Sequence, residues 1–457
     1  MSKLFRSAAS TACSLILAAA IAEAPARAET VASPSQAFQP SAAQATLIER
    51  ARALGVTDLT AKAGPRGGLI LNGRLAGRQF ALAIPAEWKG EALLHAHGYT
   101  LPGTPLEVHQ DPSSPFSGGS GIMSIAYEDG LAAGHSSYEK AGMAVEAGAV
   151  STLRLRDLMK DLGAKRIYAS GASMGGNIVL AMIEERPDAF DGAFAQCGVT
   201  DGWERELEQL TDMRAAYIVL TRGTPYALPG GQDATRSAMP ILPPPGVAYL
   251  TFQREQVTRL TAPIAALFQA AEKAPDGPEA RIIRQVASIG GFEPELASFF
   301  YPLMLLSFGA DDMRATFGGQ IYGNVGKVYR SAEMTEREQA AFNRDVQRFT
   351  ADPAAVAQAR RWKQVTGRFR TPLVTIHNRI DSLVPYAQAE GLGRIVRKAR
   401  NDAHLVQFVA PPVKAPLPIG GQGYDHCGFT RDELRNGLNS LRTWVEDGRR
   451  PAEAAAP

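Results

Sequence analysis

The run Gly171-Ala172-Ser173-Met174-Gly175 constrains this chain more than any other stretch of it. A serine set between glycines as Gly-x-Ser-x-Gly marks a sharp turn from a strand into a helix, with the serine at its apex. The glycines are needed because the turn packs strand against helix with almost no side chain between them. The flanks agree. Residues 166–170 read as a short buried strand, and 177–185 as a buried helix that stops before Pro187. The alternative is a small-residue loop whose serine only caps the helix.

The start of the chain reads as a processed segment. Lys3 and Arg6 precede an apolar run, 7–22, rich in Ala and Leu, and Ala26-Arg27-Ala28 has the small-x-small form of a signal-peptidase site. The expectation is an exported protein, cut after Ala28, with no membrane anchor once processed. A retained anchor helix is the alternative, although the run is short for a span. Cys13 lies inside this segment. Processing removes Lys3, Arg6 and Arg27 from 48 basic residues and Glu23 from 46 acidic ones, which leaves the remainder neutral. Nothing electrostatic points to nucleic acid or to an anionic membrane. There are no heptads, fixed-period repeats or metal-spaced Cys and His clusters, so neither a metal nor an organic cofactor is expected. Oligomeric state is not indicated.

Periodicity organises the rest. Residues 29–64 hold an Ala, Ser, Pro and Gln-rich leader and a first helix from Ala43 to Leu54. Strand patterns follow at 69–71, 79–84, 92–97 and 131–138, then an amphipathic helix over 145–162, the serine turn, and a strand at 190–196. Strands alternating with helices argue for a mostly parallel sheet covered on both faces, an α/β fold. The alternation stops over 203–365, where helical patterns and Pro-Gly breaks take over. It resumes with strands at 372–377 and 405–409 and a last helix over 431–445. The chain therefore divides into a first core segment (65–202), a large helical insertion or cap (203–365), a second core segment (366–450) and a disordered tail (451–457). Within the cap, 299–306 and 249–252 are strongly apolar. They suit the cap's own core or an apolar pocket over Ser173.

A serine hydroxyl is a weak nucleophile at neutral pH and needs a base, which needs an orienting acid. After such a turn the expected order is serine, acid, histidine. Asp381 follows the strand 372–377 and so belongs on the rim where the parallel strands end. Asp201, after the strand 190–196, is the second candidate, and Asp425 a minor one. His426 is the base candidate because it alone among seven histidines sits in a loop beyond the last strand. His404 opens that strand, at the opposite end of the sheet. His95, His97, His109 and His135 precede the serine, and His377 lies in or at the end of the penultimate strand. Oxyanion donors are expected from the backbone N–H groups of Met174 and Tyr99, with Gly98 permitting close approach and His97 bracing that loop. Cys427 adjoins His426, and Cys197 ends a strand on the same rim. A Cys197–Cys427 disulfide would tie the histidine loop to the sheet and suits an exported protein; two free buried thiols are the alternative.

On His97-Gly98-Tyr99, Gly171 to Gly176, Asp381 with Val384-Pro385, and His426, the chain resembles the α/β-hydrolases over about 65–202 and 366–446. The Gly-Tyr loop and the Ser-Met-Gly-Gly step are similar to those of secreted polyester hydrolases and prolyl-oligopeptidase-like esterases. The His426-Cys427 pair resembles tannases and feruloyl esterases, in which cysteines beside the serine and the histidine are bridged. Here the residue before Ser173 is Ala172, which departs from that pattern. The resemblance implies a serine hydrolase acting on a small or polymeric carboxylic ester through a Ser173-Asp381-His426 triad and an acyl-enzyme. A peptidase using the same triad, and a non-catalytic binding protein on this scaffold, are the alternatives.

Overall fold

The structure is a computed structural model that describes residues 38–361 and 364–452. The signal segment, Cys13, most of the leader and 453–457 of the expected tail lie outside the described residues.

Nine strands form one sheet: β1 (Thr57–Ala63), β2 (Leu69–Leu75), β3 (Arg78–Ile84), β4 (Glu91–Ala96), β5 (Ala132–Ser136), β6 (Arg166–Ala172), β7 (Gly192–Gln196), β8 (Leu373–Asn378) and β9 (Leu405–Ala410). Their order is β1-β2-β3-β5-β4-β6-β7-β8-β9. The first three pair antiparallel, and β3 joins β5 antiparallel. From β5 onward every pairing is parallel. This is the mostly parallel, helix-flanked sheet of an α/β-hydrolase fold. Strand β1 was hidden in the expected leader. Its alternation is polar and largely exposed, so it carries no hydrophobic period to read. The β2–β3 turn has Ala76 and Gly77 both at positive φ (49° and 78°), as a two-residue hairpin requires.

The sheet has two apolar faces, as period-two strands dictate. Leu69 and Leu71, Ala92 and Leu94 face the helices Val145–Leu162, Met174–Glu185 and Ala387–Lys398. Ile70, Leu93 and Phe194 face the opposite way, toward Ile122–Glu128 and Arg431–Asp447. Helix Ile122–Glu128 was not anticipated. It spans only seven residues, six of them buried, so it shows no amphipathic stripe.

Between β7 and β8 the chain leaves the sheet. Among the described residues this insertion contains helices Trp203–Leu220, Tyr249–Lys273, Pro278–Gly290, Ala297–Phe317, Glu336–Asp345 and Pro353–Arg361 and no strand. It forms a helical cap. Its central helix, Ala297–Phe317, is buried on almost every face, which explains the uniformly apolar run around 299–306. A second small sheet, the hairpin β10 (Lys414–Pro416) and β11 (Gln422–Tyr424), lies just before His426. Among the described residues no helix is long and apolar enough to cross a membrane.

Candidate active site

The serine turn is built as its glycines demand. Ser173 sits at φ 58°, ψ −125°, a conformation that costs a non-glycine residue energy and is held by its neighbours. A Cβ on Gly171 would collide with the backbone of Gly175, and one on Gly175 with the carbonyl of Ala96. A Cβ on Gly176 would meet Gly198 Cα at 2.7 Å. The Ser173 amide donates to the carbonyl of Gln196 at 3.0 Å, which fastens the turn to β7.

The parallel strands deliver the other groups to the same rim. Asp381 follows β8, and the loop after β11 carries His426. His426 Nδ1 lies 2.8 Å and 3.0 Å from the two carboxylate oxygens of Asp381. Asp381 Oδ1 also accepts from the amides of Leu383 and Val384, both at 2.9 Å, and Oδ2 from the amide of Cys427 at 3.1 Å. Burial by itself would push this carboxyl up. The charge and hydrogen bond of His426, the charge of His377 and the backbone donors outweigh it and hold the group below its ordinary range. Asp381 is therefore the ionised partner that fixes the imidazole's orientation. Asp201 is placed elsewhere: its carboxylate pairs with Arg394 at 3.2 Å. Asp425 stays beside the pair without a hydrogen bond to the ring, and burial pushes its carboxyl up to about 6.

Cys197 and Cys427 form a disulfide, with Cα atoms 5.4 Å apart across 230 residues of sequence. Both sit at positive φ (42° and 62°) directly after β7 and directly after His426. The bridge ties the histidine loop to the sheet. Asn378 adds to this by donating from Nδ2 to the carbonyls of Pro411 and Gly428 at 2.9 and 2.8 Å. Among the described residues, Cys197, Asp381, His426 and Cys427 are the one group with ligand atoms close enough for a metal. The two sulfurs are bonded to each other, and the other two groups satisfy one another, so the set offers no free thiolate.

Ser173 and His426 border one cavity of about 420 Å³. Gly98 and Tyr99 line it, and a Cβ on Gly98 would come within 3.3 Å of Ser173 Cβ, so the loop passes directly over the serine. His97 braces that loop. Its ring stacks on Tyr138 at 3.7 Å, its Nδ1–H donates to the carbonyl of Gly98 at 2.9 Å, and Tyr138 donates to the carbonyl of His97 at 3.0 Å. From the cap, Tyr301, Met304 and Leu305 reach the cavity, whereas Phe299, Phe300 and Leu303 belong to the apolar core. The apolar run thus serves both ends foreseen for it. Segment 249–252 approaches less directly, with Tyr249 hydroxyl 3.1 Å from Thr104 Oγ1 on the cavity wall. His95, His109 and His135, which the sequence did not point to as site residues, also line the cavity. They carry no spacing that would reveal them; the signal available was the small-residue loop 113–121, whose Gly119 packs against His95.

A family model described as the prolyl oligopeptidase family matches residues 157–217, which span the serine turn and its helix. No curated protein matches the sequence. Solved structures with a similar course include feruloyl esterase B from Aspergillus oryzae (15% identity, 89% of this chain and 91% of that one, TM-score 0.49). They also include an esterase from Aspergillus oryzae (14%, 87% and 87%, TM-score 0.43). A putative lipase from Acinetobacter baumannii is similar over 91% of this chain and 100% of its own, at 12% identity and TM-score 0.36.

Proposed function

We propose that this chain is a serine hydrolase that cleaves a carboxylic ester through an acyl-enzyme, with Ser173 as nucleophile, His426 as base and Asp381 as orienting acid. The observation that carries the reading is the buried Asp381–His426 pair, at 2.8 Å, bordering the same cavity as a serine held at φ 58°. In the first step Ser173 Oγ attacks the ester carbonyl and its proton passes to His426 Nε2, the nitrogen not engaged by Asp381. The resulting oxyanion accepts from the backbone N–H groups of Met174 and Tyr99. His426 then protonates the leaving alcohol, and a water activated by the same nitrogen releases the acid. The order serine, acid, histidine along the chain supports this assignment. Export is part of the proposal: the Cys197–Cys427 disulfide suits an oxidising compartment, as a signal segment ending at Ala28 would require.

The test is labelling of the folded, full-length protein with a fluorophosphonate. A single adduct at Ser173, absent in Ser173→Ala, is the expected result, together with turnover of p-nitrophenyl esters. An unlabelled Ser173 in folded protein sinks the proposal. Faster cleavage of matched peptide amides than of esters would move the enzyme to the peptidases while leaving the triad in place.

A further inference from the structure

Five of the seven histidines border a single cavity: His95, His97, His109, His135 and His426. The proposed reaction uses only His426. The tautomers of two others follow from their partners. His97 Nδ1 lies 2.9 Å from the carbonyl oxygen of Gly98, and His135 Nε2 lies 2.9 Å from the carbonyl oxygen of His109. A carbonyl only accepts, so each of these nitrogens carries the ring proton. The remaining nitrogen of each neutral ring, Nε2 of His97 and Nδ1 of His135, is then a lone-pair acceptor, with no hydrogen-bond partner among the described residues.

Both rings stay neutral. Burial pushes His97 down to about 4, against the opposing effect of its bond to Gly98. Burial, and then the nearby His97 and His109, push His135 down to about 4 against its own bond to His109. His95, buried beside them, is pushed down to about 3. A neutral acceptor does not attract a carboxylate, and an alkyl group set against it strips its water with nothing in return. What such a nitrogen recognises is a hydrogen-bond donor, and on an ester the common one is a hydroxyl. The cap adds Tyr301, Met304 and Leu305, so the cavity sets a largely apolar lining from the cap beside these histidines.

We infer that His97 and His135 form a hydroxyl-binding wall, and that the substrate is an ester with an apolar body and a free hydroxyl group. This rests on the reading of Ser173 as nucleophile only for the word ester; the wall itself is a binding site and is tested as one.

The experiment measures equilibrium binding to the Ser173→Ala protein by calorimetry, so that nothing is consumed. Two matched pairs locate the hydroxyl on either half of the ester: p-nitrophenyl 3-hydroxybutyrate against p-nitrophenyl butyrate, and 2-hydroxyethyl butyrate against propyl butyrate. At least about tenfold tighter binding of one hydroxylated member is expected, as for sites that bond a substrate hydroxyl. His135→Leu should bring that ratio to about one, and His135→Gln, which returns an uncharged acceptor, should restore part of it. Equal binding within both pairs overturns the wall, whatever the variants do. A preference that survives unchanged in folded His135→Leu overturns the assignment to His135. Fluorophosphonate labelling of the unsubstituted protein reports separately on Ser173, so failure of one reading is not mistaken for failure of the other.

Discussion

The two sides of the cavity are held by different means. On the acid–base side, Asp381 collects three backbone amides and the His426 ring, and the next residue is covalently joined to β7 through Cys197. On the facing side, the chain from Gly98 to Gly121 has one short turn of 3-10 helix at Gly119–Gly121 and otherwise no regular structure. It is steadied by side chains. Tyr99 reaches the cap helix, where a Cβ on Gly309 would collide with its hydroxyl. Thr104 meets Tyr249, and Ser120 Oγ donates to the carbonyl of Cys427 at 3.2 Å. The groups proposed to react are thus fastened to the sheet, while the facing loop is held by side chains that reach the cap and the histidine loop. Damage to the first should appear in kcat, and damage to the second in KM and substrate preference.

The largest effect is expected from removing the acid. Asp381→Asn keeps the shape and loses the charge that orients His426, and a fall in kcat of at least about a thousandfold is expected on a p-nitrophenyl ester. Asp201→Asn, whose carboxylate serves Arg394, should stay within about threefold. The reverse ranking would reassign the acid. Next is the bridge. Cys197→Ala with Cys427→Ala frees the histidine loop and removes a cross-link over a long loop. A loss of about 2–4 kcal/mol in denaturant unfolding is expected, with a fall in kcat larger than any change in KM. An unaltered kcat would show that hydrogen bonds alone position the base.

A substitution in the cap tests the facing side. Gly309→Ala favours the helix by about 1 kcal/mol in propensity yet drives Tyr99 and its loop off the serine. A drop of about tenfold in kcat/KM with little loss of stability is expected. Unchanged kinetics would uncouple the cap from the proposed oxyanion loop.

The smallest effect is one of pH, and its two parts have opposite sign. His95, His97 and His135 are pushed to about 3, 4 and 4 from an ordinary 6.5, so the unfolded chain binds their protons first. Stability they contribute is present above pH 6.5 and is lost as pH falls toward 4. Glu206 runs the other way. Burial first, and then the charge of Asp381, push it up to about 8 from 4.5, while Gln388 donates to it at 3.1 Å. Its contribution is present below pH 4.5 and is lost as pH rises through 8. Glu206→Gln should therefore flatten the decline in Tm between pH 5 and 9 and leave the acid limb unchanged. A decline of the same depth would remove Glu206 from this account.

Much of the core was legible because its signals are local. The turn at Ser173 is dictated by glycines whose Cβ atoms would collide with backbone, and strands β2 to β9 announce themselves by apolar runs. The rim position of Asp381 followed from parallel strands ending on one side. Polar β1 and fully buried Ile122–Glu128 escaped because neither shows a period. The histidine wall escaped for a further reason. His95 belongs to β4 and His97 directly follows it, His135 belongs to β5 and His109 lies on an irregular loop, and nothing in their spacing says that these segments converge.

By itself the sequence determined the elements with a clear hydrophobic period and their order along the chain, β2 to β9 and the periodic helices between them, since glycine stereochemistry and hydrophobic period act over a few residues. It also supplied each group of the Ser173, Asp381 and His426 constellation. Only the tertiary structure decided which carboxylate meets the imidazole, that Cys197 and Cys427 are joined rather than free, and which faces of the cap turn toward the serine. These depend on contacts between residues tens to hundreds of positions apart. Their distances are set by how the sheet twists and how the cap packs on it, and no local pattern encodes that.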